Sequence, residues 1–294
     1  MSDLHKRVLT ALIGIPVFLL ALVGPPHAVL PEGSTWTALV MLLSLLGAVE
    51  MLSAVERQQP EVRVNRLLAM LAVYLPFDAW LSVHEQAVFL MTARSTVVVA
   101  LLMAFGWEVW QAERRGRLAV WQNVGYGALI ALYLGMLFSA WVRLRVVDTG
   151  CARSALGQSD GLSLVLMTCA AVWACDTAAY FVGRRYGRRP MSRLLSPHKS
   201  WEGGVAGVLL GTGAALLVSV PLSLSPLSAL VFGIAATAAG QAGDLFESAL
   251  KRELQVKDFG GLLPGHGGVM DRFDSLLFAL PVVYLLSHFL PICP

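Results

Sequence analysis

Long apolar runs constrain this chain more than any other feature. A membrane-crossing helix needs about 20 mostly apolar residues to cover about 30 Å of hydrocarbon at about 1.5 Å per residue. On that template the sequence offers about nine stretches, near 8–24, 35–54, 67–83, 95–110, 121–142, 161–182, 204–220, 227–243 and 273–290. The third and fourth are weakest, because Pro76, Asp78, Glu108 and Trp110 interrupt or shorten them. Composition points the same way. The 294 residues are 56% hydrophobic and only 14% charged, against about 25% charged in an ordinary soluble domain. A soluble fold would have to expose that apolar surplus. The expected class is all-α: a polytopic integral membrane helix bundle of about nine transmembrane helices.

Basic residues orient the bundle. With the N-terminus inside and nine spans alternating, all of the 22 Lys and Arg except Arg94, Arg143, Arg145 and Arg153 fall in inside segments. Cytoplasmic loops are enriched in Lys and Arg, so the expected topology is N-in, C-out. Lys6 and Arg7 ahead of Val8–Val23 have the look of a signal peptide, but Pro25-Pro26 stands where an Ala-x-Ala cleavage site would be. The segment reads as an uncleaved first span. Cys151, Cys169, Cys175 and Cys293 form no CxxC pair and suggest neither a zinc site nor a disulfide framework. They read as packing residues. A net charge of +3 gives no reason to expect a nucleic-acid partner.

Residues 1–160 hold about five spans, and residues 161–294 hold the rest within one membrane domain. Two inside loops of the second part, 183–203 and 244–272, are the longest inside segments, glycine-rich and crowded with charges of both signs. A chemical centre is expected where they meet.

If the eighth helix continues past its apolar run, Asp244, Glu247, Ser248 and Lys251 fall at i, i+3, i+4 and i+7 and share one face. A solvated exit helix with Glu–Lys pairing would show the same spacing. Asp244, however, lies at the end of an apolar run, where an unpaired charge is costly. Further on, Pro264, Gly265, Gly267 and Gly268 exclude a helix and let backbone N–H groups approach a ligand, as in anion-binding concavities. No Walker A pattern is present. Asp271 and Asp274 then stand three apart at the start of the ninth span, on one helical face. Alone they could be an acidic first turn with Arg272 as counter-ion. Together with Asp244, His266 and the glycine turns they suggest a hard divalent cation, since magnesium binds through one or two carboxylates plus substrate phosphates. Lys251, Arg252 and Lys257 are at hand to neutralise those phosphates. Such a set suits phosphoryl or nucleotidyl transfer, where catalysis is mainly positioning and charge stabilisation.

The other loop fits the same scheme. Asp176 and Tyr180 lie i, i+4 near the inner end of the sixth span, followed by Gly183, Gly187 and a run of arginines. The arginines read as a juxtamembrane segment facing anionic headgroups. The stretch from Ser196 through Lys199 to Gly203 mixes hydroxyls, a lysine and a carboxylate beside a helix start, which suits phosphate. Glu50, Asp78 and Glu108, within or beside apolar runs, are assigned to packing or interface positions.

Residues 248–274, with Ser248, Lys251-Arg252, Lys257-Asp258, Gly260, Leu263-Pro264, His266-Gly267-Gly268, Asp271-Arg272 and Asp274, resemble the signature of the phosphatidate cytidylyltransferases, the CDP-diacylglycerol synthases. Ser196-Pro197, Lys199 and Trp201-Glu202-Gly203 resemble that family's second motif, with His198 where the family usually has a first lysine. The likeness is firm over roughly 170–290. It implies magnesium-dependent transfer of CMP from CTP to phosphatidate, giving CDP-diacylglycerol and pyrophosphate in phospholipid biosynthesis. On this reading Asp244, Asp271 and Asp274 hold the metal, and a second cation is left open. Ser248, Lys251, Lys257, Asp258 and His266 join the catalytic set. Ser196, Lys199, Arg252, Gly267, Gly268 and Arg272 bind substrate phosphate. The resemblance also suggests a homodimer, and the topology puts every candidate residue on the cytoplasmic side of what is expected to be a bacterial inner membrane. A CTP-dependent kinase of a polyprenol or other lipid alcohol, or a transporter, are the alternatives.

Overall fold

The computed structural model describes residues 3–24, 30–84, 88–116, 118–148, 159–262 and 267–293, and of 3–11 and 88–95 the backbone alone. Helices account for nearly all of it. In chain order they are α1 (Asp3–Val23), α2 (Ser34–Gln58), α3 (Arg66–His84), α4 (Val88–Arg115), α5 (Val120–Ile130), a π-helical turn (Ala131–Met136) leading into α6 (Leu137–Arg145), α7 (Asp160–Tyr186), α8 (Trp201–Ser219), α9 (Pro226–Glu253) and α10 (Met270–Leu286). Each apolar stretch read from the sequence lies on one of these rods, with α5, the π turn and α6 forming one. Among the described residues, six segments are long and apolar enough to cross a membrane: α2, α3, the α5–α6 rod, α7, α8 and α9. That is fewer than the nine expected. α1 contributes a shorter apolar stretch, Leu12–Val23, and α10 has 17 residues. Leu42, Leu45, Leu209, Leu210 and Leu217 leave the rods fully or half exposed, as lipid-facing side chains do. The chain is a helical integral membrane protein.

Two segments expected to be loops hold regular structure. Residues 183–203 hold the end of α7, an antiparallel hairpin of β1 (Pro190–Ser192) and β2 (Ser196–Ser200), and the start of α8. Residues 244–253 belong to α9. The cysteine reading needs one correction: Cys169 and Cys175 are free and buried on α7, but Cys293 is disulfide-bonded. No sequence spacing marks that bond, because tertiary structure makes the pair.

The chain divides into two compact units, Met1–Val142 with Leu254–Arg272, and Arg143–Glu253 with Phe273–Pro294. In the first, Trp36 Nε1 donates to the Trp141 carbonyl at 3.1 Å, its ring stacked on Trp141 with centroids 6.0 Å apart. Glu108, assigned to packing from the sequence, is buried and clasped on both sides. Asn65 Nδ2 donates to Oε1 at 2.8 Å and Asn123 Nδ2 to Oε2 at 2.9 Å. A carboxylate in such surroundings persists only with donors of this kind.

In the second unit, close helix approach is bought with missing side chains. Gly203, Gly207 and Gly211 form a stripe on α8 against α7. A Cβ at these positions would stand 2.7 Å from the Ala179 carbonyl, 2.9 Å from that of Cys175 and 2.6 Å from that of Ala171. Small residues four apart are the usual means of close packing between membrane helices. Gly243 does the same for α9 and α10, facing the Asp274 carbonyl at 2.6 Å and the Phe278 side chain. Gly213, also on α8, faces open space. Gly207→Ala should therefore destabilise the detergent-solubilised protein by about 1–3 kcal/mol, and Gly213→Ala should not. Thermal unfolding of the two variants checks this.

Candidate active site

The motif running from Ser196 to Gly203 divides its residues between structure and chemistry. Ser200 caps α8, its Oγ accepting from Gly203 N at 3.2 Å. Glu202 folds the chain back, its Oε2 accepting from the Arg188 and Arg189 amides at 3.1 and 3.3 Å. Gly203 and Gly183 meet where α7 and α8 pack closely, since a Cβ on Gly203 would lie 3.0 Å from the Gly183 Cα. Ser196, His198, Lys199 and Ser200 line a cavity of about 530 Å³. Asp176, Tyr180 and Gly183 of α7 form another wall, and Gln241 and Asp244 of α9 close it. Gln241 is fixed there by its Nε2, which donates to the Gly204 carbonyl at 3.0 Å.

The charged residues lining the cavity are Asp176, Arg184, Lys199 and Asp244, with His198 beside them. Lys199 Nζ forms an ion pair with Asp244 Oδ2. Asp176, Asp244 and Asp274 lie close enough to act on one another's charge, and Ser275 hydrogen-bonds Asp176. Gly243 explains the proximity of two of these: α10 comes in against it at Asp274, one residue before Asp244. Lys251 also acts on Asp274, but its ammonium is bonded to the fully buried Glu247 at 2.9 Å, so the plain Glu–Lys pairing is realised as well. Ser248 lies half-buried on the same helix, and Arg252 Nε ties α9 to the hairpin through the Leu195 carbonyl at 3.3 Å.

In the first unit the glycine-rich loop gathers a different set. Gly267 has φ +86°, a conformation glycine tolerates and most residues avoid. A Cβ there would stand 3.3 Å from Asp271 Oδ2 and 3.6 Å from Asp258 Oδ1, so these two carboxylates flank one point. Asp271 Oδ2 accepts from Gly268 N at 2.9 Å. Lys257 and Arg272 are exposed. His266 lies outside the described residues.

Sequence reasoning undervalued Asp176, noted for its spacing and left out of the site, and missed Gln241. The intramembrane position of Asp176 was the available signal; Gln241 offered none. Among the described residues no group of three or more His, Cys, Asp or Glu is arranged to hold a metal ion. The donor chemistry nonetheless suits a hard cation. Asp176, Asp244 and Asp274 offer carboxylate oxygens that act on one another, and the Lys199 ammonium rests against one of them. Magnesium takes only one or two carboxylates when substrate phosphates complete its shell.

A larger cavity of about 860 Å³ lies in the first unit, lined by Arg63, Arg66, Glu108 and Trp107 among others. It contains no residue of either motif, so the smaller cavity is the candidate site.

Apolar rods enclosing a charged cavity define a helical membrane protein with a polar site among its helices. The sequence profile of the cytidylyltransferase family matches residues 5–290. The chain belongs to that family, and is an enzyme of the nucleotidyltransferase class. It is 31% identical to the phosphatidate cytidylyltransferase of Bacillus subtilis, with 97% of this chain and 98% of the relative covered. It is 30% identical to the Staphylococcus haemolyticus enzyme of that name, over 95% and 97%. It is also 30% identical to the chloroplastic phosphatidate cytidylyltransferase 4 of Arabidopsis thaliana, over 96% of this chain and 73% of the relative.

The Lys199–Asp244 pair is expected to couple across the cavity. Lys199→Ala should lower the thermal midpoint by leaving three carboxylates without that ammonium, and adding Asp244→Asn should recover part of the loss. A double-mutant cycle should give a coupling of about 1 kcal/mol.

Proposed function

We propose that this chain transfers CMP from CTP to phosphatidate, giving CDP-diacylglycerol and pyrophosphate, with magnesium required. The observation that carries this is the cavity in which Lys199 pairs with Asp244 beside Asp176, with Asp274 of α10 close enough to act on both carboxylates. Membership of the cytidylyltransferase family supports the nucleotide, and the names of the relatives support the lipid. The cavity's roughly 530 Å³ lies within the range of about 300–1,000 Å³ common for small-molecule sites.

A phosphate oxygen of the lipid attacks the α-phosphorus of CTP in line. The bond from that phosphorus to the α–β bridging oxygen breaks, and the electron pair leaves with pyrophosphate. A phosphate monoester has a second pKa of about 6 and is mostly dianionic near neutral pH, so no strong general base is needed. Lys199 and Ser196 bind phosphate from the cavity wall, and His198 stands beside them. Lys251, Arg252, Lys257 and Arg272 add positive charge, and Ser248 a hydroxyl. Asp244 and Asp274 would hold magnesium, and the sequence motif adds Asp271 of the first turn of α10 as a third carboxylate. When bound, the metal neutralises charge on the transferring phosphoryl group.

Purified protein in micelles with phosphatidate, magnesium and labelled CTP tests the reading. Label at the α-phosphate should enter the lipid, and label at the γ-phosphate should leave in pyrophosphate. Asp244→Asn and Asp274→Asn should each lower kcat about 100-fold or more while the protein still inserts. Entry of γ-label into the lipid would establish a lipid kinase instead, and CTP left unconsumed would overturn both.

The orientation belongs to the same proposal: N-terminus inside, C-terminus outside, with the site on the CTP-bearing side. The Lys and Arg distribution supports it, and so does the disulfide at Cys293, since such bonds persist on the oxidising side of a cell membrane. Reporter fusions should place residue 120 inside and residue 150 outside; the reverse pattern would break the topology.

A further inference from the structure

Glu50 is a buried carboxylate in the later half of α2, only 4% exposed. Both of its oxygens are spent on the beginning of α10. Val269 N donates to Oε1 at 3.0 Å and Met270 N to Oε2 at 3.1 Å. Amides at a helix start have no acceptor within their own helix, and they form the positive end of its dipole. Here a side chain more than two hundred residues earlier in the sequence supplies the acceptor.

Its volume is reserved by glycines of the signature loop. A Cβ on Gly260 would collide with Glu50 Oε1, and one on Gly268 would stand 2.7 Å from Oε2. The same Gly268 Cβ would lie 2.8 Å from Asp271 Oδ2, and Gly268 N already donates to that atom. Gly268 is therefore the spacer between the two carboxylates. α2 also grips the loop one turn earlier and two turns later. Gly47 leaves room for the Met270 side chain, and Arg57 Nη2 donates to the Phe259 carbonyl at 3.2 Å.

We propose that Glu50 is a positioning residue for cation binding: by fixing the first turn of α10 it sets the Asp271 carboxylate where the metal requires it. This rests on the magnesium-dependent reading above. A carboxylate ligand displaced by even a fraction of an ångström loses much of its worth, because magnesium tolerates little departure from octahedral geometry. Glutamine keeps the size of Glu50 but presents one acceptor and an NH2 group, which would face one of the two amide donors.

The test uses the purified full chain with CTP and follows Mn²⁺ binding by electron paramagnetic resonance, alongside steady-state kinetics. Glu50→Gln should weaken Mn²⁺ binding about tenfold and raise the magnesium needed for half-maximal rate by a similar factor, with the KM for phosphatidate unchanged. Glu50→Asp, which keeps the charge but withdraws it by one methylene, should fall between the two. A cap that only stabilises the fold would lower the thermal midpoint and leave Mn²⁺ binding at the wild-type value, and that result overturns the proposal. Gly260→Ala pushes on Glu50 from the loop side without touching Asp271, and should reproduce the shift if Glu50→Gln fails to insert. Asp271→Asn separates the two claims. If it binds Mn²⁺ as wild type does, the metal assignment of Asp271 fails. If it loses Mn²⁺ while Glu50→Gln does not, only the role of Glu50 fails.

Discussion

A carboxylate among apolar helices must be answered by donors or cations, because hydrocarbon offers neither. This chain answers its acidic residues in different ways, and the difference locates function. Glu108 is met by two asparagine amides, a neutral clasp that fixes helices of the first unit. Glu50 is met by two backbone amides. Glu247 has Lys251 one turn away. Asp176, Asp244 and Asp274 differ from all of these: three carboxylates act on one another around a single ion pair with Lys199. Of these sets it alone gathers carboxylates from three helices around one ammonium. A site built that way favours cations and the polyphosphates that accompany them.

That gathering depends on how closely the helices approach. The stripe Gly203, Gly207, Gly211 draws α8 onto α7, and Gly243 draws α10 onto α9. Membrane helices gain little from hiding apolar surface from one another, since lipid is as apolar as leucine, and they associate through close van der Waals packing instead. The glycines are thus both the adhesive of the second unit and the reason its carboxylates are neighbours. Adding methyl groups at these places would be expected to separate the charges as it separates the helices.

Much of this was legible in the sequence. Apolar runs located every helical rod, and the i, i+3, i+4, i+7 spacing of Asp244, Glu247, Ser248 and Lys251 gave one face of α9 as the structure has it. Ser196 and Lys199 were read as phosphate ligands from their residue types, and they line the cavity. Other features were out of reach because their causes lie far apart in the chain. The β1–β2 hairpin depends on Glu202 reaching back to the Arg188 and Arg189 amides, and no strand pattern of three to five residues announces that. The Cys293 disulfide follows no motif. Leu254–Arg272 belongs to the same compact unit as α2, a pairing that periodicity within either segment cannot reveal.

Glu50 shows the same blindness at a single residue. One acidic side chain within an apolar run is ambiguous, because periodicity says which face it occupies and not what it meets. The glycines were ambiguous in the complementary way. Gly260 and Gly268 suggest close backbone approach, and a phosphate was the natural partner to imagine. In the structure the groups that approach Gly268 are the protein's own carboxylates, those of Glu50 and Asp271. A loop that cradles an internal anion at a helix start uses the same backbone geometry as one that cradles a substrate anion. Composition alone cannot separate the two. What separates them is whether a buried acid elsewhere in the chain has a pair of amides to satisfy it, and Glu50 has found its pair in Val269 and Met270.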